Sequence, residues 1–336
     1  MDDDLLDGDE VWFRMEDPGT VGAARRAAEL LARRLVLGGG RTDALAIVVT
    51  ELATNLVKHA EAGRLLIRPV RADDVAGVEL LALDSGPGMA DVTLSARDGH
   101  STAGTLGIGL GAIVRQSDWV DMYSLPGRGT VTVAQVWPEA LPRPAVTAGV
   151  RIPMTGEQSC GDAFAERVVD GRRQVLVCDG LGHGPLAAVA STAAVHAFHR
   201  APAGPPAAVL EHLHRATSHT RGAAAAIAEL VPERGLVRYA GLGNIAGLVV
   251  DGDERRGLVS LPGIVGHQRR TVREFEYPFP DGACLVMQSD GVTDRWRLLD
   301  YPGLQRRSPQ VIAATVLRDF GVRRDDACVL VAKAVP

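Results

Sequence analysis

CDGLGHG, residues 178–184, closes the apolar run Val175–Val177 with a carboxylate, Asp179, set beside glycine. Three other aspartates sit at or beside the ends of apolar runs: Asp162 in CGD (160–162), Asp290 in QSDGV (288–292) and Asp325 in RDDACVLV (324–331). A single Asp-Gly is ordinarily a turn. Four carboxylates at strand ends, three with glycines that let the backbone approach closely, instead describe an oxygen-rich site. Such a site suits hard divalent cations, Mg2+ or Mn2+.

The rest of the chain narrows the chemistry. Its 336 residues suffice for two domains, each with its own core, and 46% of them are hydrophobic. A net charge of −5 argues against a nucleic-acid partner, which needs a basic face. Lysine occurs only at Lys58 and Lys333. No Gly-Lys dipeptide is therefore present for a Walker A loop, and no VAIK-type lysine for a conventional protein kinase. Cys160, Cys178, Cys284 and Cys328 form no C-x-x-C pair, and none has arginine at the sixth following position, so zinc ribbons and cysteine-phosphatase loops are excluded. Lying in apolar runs, they read as buried and reduced. The opening MDDDLLDGDE is acidic rather than a signal n-region, and no apolar stretch reaches membrane-spanning length. The expectation is a cytoplasmic protein with no membrane partner.

Four prolines in WPEALPRPAVTAGVRIP (137–153) mark an inter-domain connection. The expected division is a first domain over 11–137, a proline-rich linker over 138–147 and a second domain over 148–336. Helical spacing predicts helices over 21–37 and 42–60. Strands follow near 64–70 and 78–84, then a glycine/serine-rich loop, a short helix over 107–117 and two closing strands. The second half reads as mostly strands, with helices near 185–200, 206–219 and 309–319. Both halves are mixed helix-and-sheet layers, an α+β chain.

Within the 42–60 helix, Glu51, Asn55 and His59 recur at i, i+4, i+8 and share one polar face among Val48, Val49, Leu52 and Leu56. Alone, such a face is a solvated stripe. Two later stretches change its meaning: DSGPGM (84–89) ends an apolar strand with Asp84, Gly86 and Gly88, and GTLGIGLG (104–111) opens a helix with Gly104, Gly107, Gly109 and Gly111. Closely spaced glycines allow backbone N–H groups to meet phosphate oxygens. A dinucleotide fingerprint is the rival reading of GIGLG. It fails on context, since the preceding ARDGHSTAG is polar and not a strand.

Together ELATNLVKHA, DSGPGM, GTLGIGLGAI and GRGT (127–130) resemble the GHKL (Bergerat-fold) ATPases over about residues 20–136, in particular the bacterial anti-sigma-factor serine kinases of the RsbT and SpoIIAB type. The resemblance implies a two-layer α/β sandwich that binds ATP. It places Asn55 on the Mg2+ that bridges the phosphates, Asp84 on the adenine amino group, and Gly86 and Gly88 at the purine pocket. Gly104, Gly107, Gly109 and Gly111 would line the triphosphate and Thr130 the adenine side. Glu51 matches the residue that deprotonates the acceptor serine.

Over about 148–335, SCGDAFAE, VCDGLGHGPLAAVAS, LGNIAGLVV, MQSDGVTDRW and RRDDACVLVAK resemble the PPM metal-dependent phosphatases of the SpoIIE/RsbX branch, an α-β-β-α sandwich. On that resemblance Asp162, Asp179, Asp290 and Asp325 are metal carboxylates and the Gly180 carbonyl is a backbone ligand. Asp326 is adjacent, and sequence does not separate it from Asp325. The first motif, CGDAF, lacks the GGDFYD form usual in SpoIIE-type chains and leans toward RsbX. His183 reads as a turn-stabilising residue, with proton donation to the leaving serine as the alternative. His196, His199, His212, His214 and His219 lie on amphipathic helices and read as surface residues rather than zinc ligands. Arg25, Arg26, Arg33 and Arg34 read as a solvated helix face, and Arg323 and Arg324 as a solvated strand entry.

The resemblances together imply a regulator with a serine kinase and a serine/threonine phosphatase in one chain. Its implied partner is a STAS-domain protein of a partner-switching or stressosome pathway, with a sigma factor as a second candidate. The alternative is a first domain that binds ATP only to hold a partner, leaving the phosphatase as the sole catalyst.

Overall fold

The computed structural model describes residues 10–72, 74–90, 109–139, 145–267 and 271–334. The chain divides into two compact units, Met1–Pro144 and Ala145–Pro336.

The first unit opens with a short strand, β1 (Val11–Arg14), which the sequence pattern does not announce. Helix α1 (Pro18–Arg34) follows. It starts earlier than its apolar spacing suggests because Asp17 caps it, accepting a hydrogen bond from Gly19 N at 2.7 Å, with proline at the first turn. It also ends earlier: Val36 takes a positive φ of 58°, which folds Leu37 back into the core at 3% exposure. Helix α2 (Gly39–His59) begins three residues ahead of Thr42, whose hydroxyl reaches back to Gly38 O. Strands β2 (Arg64–Ala72) and β3 (Val75–Leu83) come next, then helix α3 (Gly109–Gln116) and strands β4 (Trp119–Leu125) and β5 (Gly129–Val136). The five strands pair antiparallel in the order β1-β2-β3-β5-β4. Alternate strand residues Leu65, Ile67, Val78, Leu80 and Ala134 pack against Ala28 and Leu31 of α1 and Leu45, Val49 and Leu52 of α2. This is the expected two-layer sandwich.

The second unit holds two antiparallel-rich sheets. One runs β13-β10-β9-β8-β7, comprising β7 (Asp162–Val169), β8 (Arg172–Gly180), β9 (Ala223–Val231), β10 (Leu236–Leu242) and β13 (Ser260–Leu261), with β14 (Phe275–Pro278) on β10. The other runs β12-β11-β15-β16-β6, from β6 (Thr147–Ile152), β11 (Ala246–Asp251), β12 (Glu254–Leu258), β15 (Cys284–Gln288) and β16 (Ala327–Lys333). Strand period two sorts the residues. Val175, Val177, Ala226 and Ala228 meet Leu285, Met287, Cys328 and Leu330 between the sheets. Leu176, Cys178, Ala225 and Ile227 face outward onto helices α4 (Pro185–Arg200) and α5 (Pro206–Ala216). Helix α6 (Pro309–Phe320) contacts β6 and β16 of the second sheet. The result is the expected α-β-β-α sandwich.

Within the proline-rich stretch 137–153, Trp137 is buried with its backbone N–H bonded to Asp118, and residues 147–152 form β6, paired along β16, so that of this strand only Thr147 falls in the expected 138–147 linker. Alternation in TAGVRI is too short to stand out beside its prolines.

Candidate functional sites

In the second unit the four aspartates come from both sheets yet reach one end of the sandwich. Asp162 opens β7 directly opposite Asp179 at the end of β8. Asp290 lies two residues past β15, and Asp325 two residues before β16. Asp162 is 1% exposed, Asp179 half-buried, and Asp290 and Asp325 exposed, so the set grades from interior to solvent. Burial, then the neighbouring Asp179, raises the Asp162 carboxyl well above the usual range. Burial, then Asp290 and Asp325, pushes Asp179 up to about 7 against a hydrogen bond with Asp162. Burial, then Asp290, raises Asp325. Partly buried carboxylates that raise one another are relieved by protons or by a cation.

Three contacts that sequence reasoning missed hold this set in place. Ser289 Oγ donates to Asp162 Oδ2 at 2.5 Å and accepts Cys328 N at 3.0 Å, tying the two sheets together behind the aspartates. Asn244, in the β10–β11 turn, donates Nδ2 to Asp290 Oδ2 at 2.7 Å. Asp326, 3% exposed, accepts Met154 N and Gly161 N, each at 2.8 Å, one on each carboxylate oxygen. With both oxygens occupied by backbone donors, Asp326 anchors the 153–161 segment and also acts on the Asp162 carboxyl, whereas Asp325 acts on Asp179 and is itself raised by Asp290. The signals for Ser289 and Asn244 were their places in QSDGV and LGNIAG, next to residues already singled out.

Glycine at 180 is dictated by packing: a Cβ there would overlap the Ala187 carbonyl where the 180–184 turn folds onto α4. His183 Nδ1 lies 3.0 Å from Glu157 Oε1, which links that turn to the 153–161 segment, in keeping with a turn role. Among the described residues, no three His, Cys, Asp or Glu side chains close around a single point. An ion here would draw on pairs of carboxylates, the Gly180 carbonyl and water. The donors are all oxygen, and that set fits Mg2+ or Mn2+. Of the histidines expected at the surface, His199 and His219 are exposed, while His196, His212 and His214 are half-buried and His214 Nδ1 accepts Gly266 N. Cys178, Cys284 and Cys328 are buried, whereas Cys160 is only half-buried; all four are free thiols raised by burial.

In the first unit, Glu51 and Asn55 of α2 face the start of α3. A Cβ on Gly109 would stand 2.8 Å from Glu51 Oε2 and 3.6 Å from Asn55 Oδ1, so α3 begins close against both side chains and a larger residue there would push the Glu51 carboxylate aside. Gly111 is buried in α3. Gly104 and Gly107 lie outside the described residues. Asp84 N bonds Thr130 O and Thr130 N bonds Asp84 O, while Asp84 Oδ1 accepts Gly86 N at 2.8 Å. Gly86 passes the His59 carbonyl, and Gly88 (φ 67°) and Gly129 (φ 81°) press against Leu125 O and Asp84 O, where a Cβ would collide. Thr130 Oγ1 sits 2.9 Å from Ser124 Oγ, which accepts Met89 N. The structure thus brings Glu51, Asn55 and Gly109 together, and separately Asp84, Gly86, Gly88 and Thr130.

Comparison with known proteins agrees with both halves. Residues 15–135 match the histidine kinase-like ATPase domain, and residues 169–335 match stage II sporulation protein E (SpoIIE). The serine/threonine-protein kinase RsbT of Bacillus subtilis (strain 168) is 31% identical over 129 residues, which span 38% of this chain and 97% of RsbT. A solved structure described as "The bacterial stressosome: a modular system that has been adapted to control secondary messenger signaling" is 26% identical with a TM-score of 0.52, over 56% of this chain and 98% of that one. A structure of RsbX in complex with magnesium is 20% identical with a TM-score of 0.48, over 56% of this chain and 94% of that one. The chain belongs to the RsbT family through its ATPase-like first unit, and its second unit carries a match to SpoIIE.

Proposed function

We propose that this chain sets the phosphorylation level of one serine or threonine on a STAS-domain partner, its first unit adding the phosphoryl group and its second removing it. The observation that supports this most directly is the graded aspartate set at one end of the second unit, in the same chain as an RsbT-type domain whose Glu51 and Asn55 face a helix start. A sigma factor remains a second candidate partner, and a protein acting this way is cytoplasmic.

In the second unit Asp162, Asp179, Asp290 and Asp325, with the Gly180 carbonyl, would hold Mg2+ or Mn2+. Divalent ions in such a site supply an acidified water and neutralise charge on phosphoryl oxygens. The protein positions: Asn244 fixes one oxygen of Asp290, Ser289 fixes Asp162, and Asp326 holds the 153–161 segment beside them. In the first unit Asn55 would reach the Mg2+ of Mg-ATP, Asp84 the adenine amino group with Gly86, Gly88 and Thr130 around the base, and Gly104, Gly107, Gly109 and Gly111 the phosphates. Glu51, one helical turn from Asn55, would accept the proton of the attacking hydroxyl.

The test is phosphate release from a phosphoserine STAS-domain protein by the full chain. Mn2+ or Mg2+ should support it and EDTA abolish it, and Asp179→Asn should remove most of it. Undiminished turnover in EDTA would refute the reading. In ATP, Asp290→Asn should drive the partner toward full phosphorylation at the serine that wild type dephosphorylates; different serines on mass spectrometry would refute the shared target.

A further inference from the structure

The outward face of α4 is apolar over its first turn, where an amphipathic helix would be polar, and turns polar further along at Thr192, His196 and His199. Its inward positions, Ala187, Ala190, Ala194 and Phe198, are buried as expected. Yet Leu186 is 62% exposed and Val189, three residues on, 57% exposed. Leu181, in the turn just before the helix, is 38% exposed. Pro185 between them is exposed as well. Scattered single exposed apolar residues are normal, whereas here four fall within the nine residues 181–189, on one turn and the first turn of its helix.

The ledge is continuous with the candidate phosphatase site, since Leu181 follows Gly180 directly. A phosphoryl group approaching Asp179 and Asp290 brings its carrier past Leu181 and Leu186. At the edge of the ledge stands a cation. Arg221 Nη1 lies 3.3 Å from Leu181 O and 3.0 Å from where a Cβ of Gly182 would be, and the residue is exposed. Apolar area beside an exposed guanidinium matches a carrier that combines an apolar surface with a dianion at its border.

We propose that Leu181, Leu186 and Val189, with Arg221 at their edge, form the docking ledge for the folded phosphoserine protein that the second unit dephosphorylates. This rests on the phosphatase reading above and adds how the unit selects a protein over a small phosphate ester. A small ester reaches the aspartates without crossing the ledge, while a folded protein buries it.

The full chain carrying Leu186→Gln and Val189→Gln tests the idea. Both replacements are neutral, good helix formers at exposed positions, so fold and metal site should persist. Two probes are compared in Mn2+: p-nitrophenyl phosphate and a STAS-domain protein with phosphoserine at its acceptor position. The variant should hydrolyse the small ester within about twofold of wild type and show at least about a tenfold higher KM for the phosphoprotein, with kcat little changed. Arg221→Ala should fall in the same direction, and Arg221→Lys should recover part of the loss. An unchanged KM for the phosphoprotein, or equal losses on both probes, would overturn the ledge. So would light scattering that shows wild type as a dimer and the variant as a monomer, which would make the ledge a self-association face. Wild type inactive on both probes would refute the phosphatase reading, and the ledge with it.

Discussion

Asp325 and Asp326 are adjacent in sequence, and exchanging each for alanine should give opposite phenotypes. The Asp326 carboxylate accepts two backbone N–H groups at 2.8 Å, one from Met154 in a part-buried position and one from Gly161 in a buried one. Asp326→Ala leaves both donors without that partner. A buried donor deprived of its acceptor costs about 1–3 kcal/mol, and hydrogen bonds to a charged group fall at the upper end of the scale. With the Met154 donor partly able to recruit water, the loss should total about 3 kcal/mol. For a unit of this size that is a fall of about 6–12 °C in its melting temperature. Asp325→Ala should behave otherwise. Its carboxyl is raised by burial and by Asp290 and accepts Asp326 N at 3.0 Å, so its removal relieves repulsion against the loss of one part-buried hydrogen bond, and the melting temperature in EDTA should change far less than in Asp326→Ala. It should instead lose affinity for Mn2+. Calorimetric melts in EDTA and Mn2+ titrations of both variants are the assay. If Asp326→Ala melts with wild type while Asp325→Ala loses several degrees, the division of labour argued from the hydrogen bonds is wrong.

Asn55→Ala should lose Mg-ATP affinity, whereas Glu51→Ala should bind ATP as wild type does and fail to phosphorylate a STAS-domain partner; if wild type phosphorylates no such partner and Glu51→Ala matches it throughout, the first unit is a binding module. Gly129→Ala should destabilise the first unit and weaken nucleotide binding, read by melting and by ATP titration, because φ is 81° and a Cβ would collide with the Asp84 carbonyl. In EDTA the second unit should lose stability as pH rises from about 4 to about 7. Asp179 is raised to about 7 in the folded state, so the native form binds more protons than the unfolded one across that window. Mn2+ should flatten the profile, and a melting temperature that rises with pH in EDTA would contradict the carboxylate clustering.

Much of the fold is written locally. Helices α2, α4 and α6 fall close to where apolar spacing places them, because α2 and α4 each bury one continuous face and α6 is buried on every side from Pro309 to Leu317. Strands β2 and β3 likewise follow their apolar runs. Elements decided by pairing were harder to read. Strand β1 has four residues and exists because β2 offers it an edge, and β6 hides among prolines because its partner β16 lies far along the chain. Helix ends moved where a cap or one positive φ intervened, as at Asp17 and Val36.

The sequence by itself determined which chemistry this chain can hold: four aspartates at the ends of apolar runs, glycines beside them, and an acid and an amide one helical turn apart. Strand ends and helix turns are local, so residue type and spacing carry them. Only the tertiary structure distinguishes Asp326 from Asp325 by its surroundings, because Asp326 accepts donors from residues 154 and 161, more than a hundred and sixty positions away in the chain. The same holds for Ser289 behind Asp162, Asn244 on Asp290, and the exposed Leu186 and Val189, which an apolar helix pattern alone would bury. Burial and hydrogen-bond partners are set by what the rest of the chain brings alongside, and no local pattern contains that information.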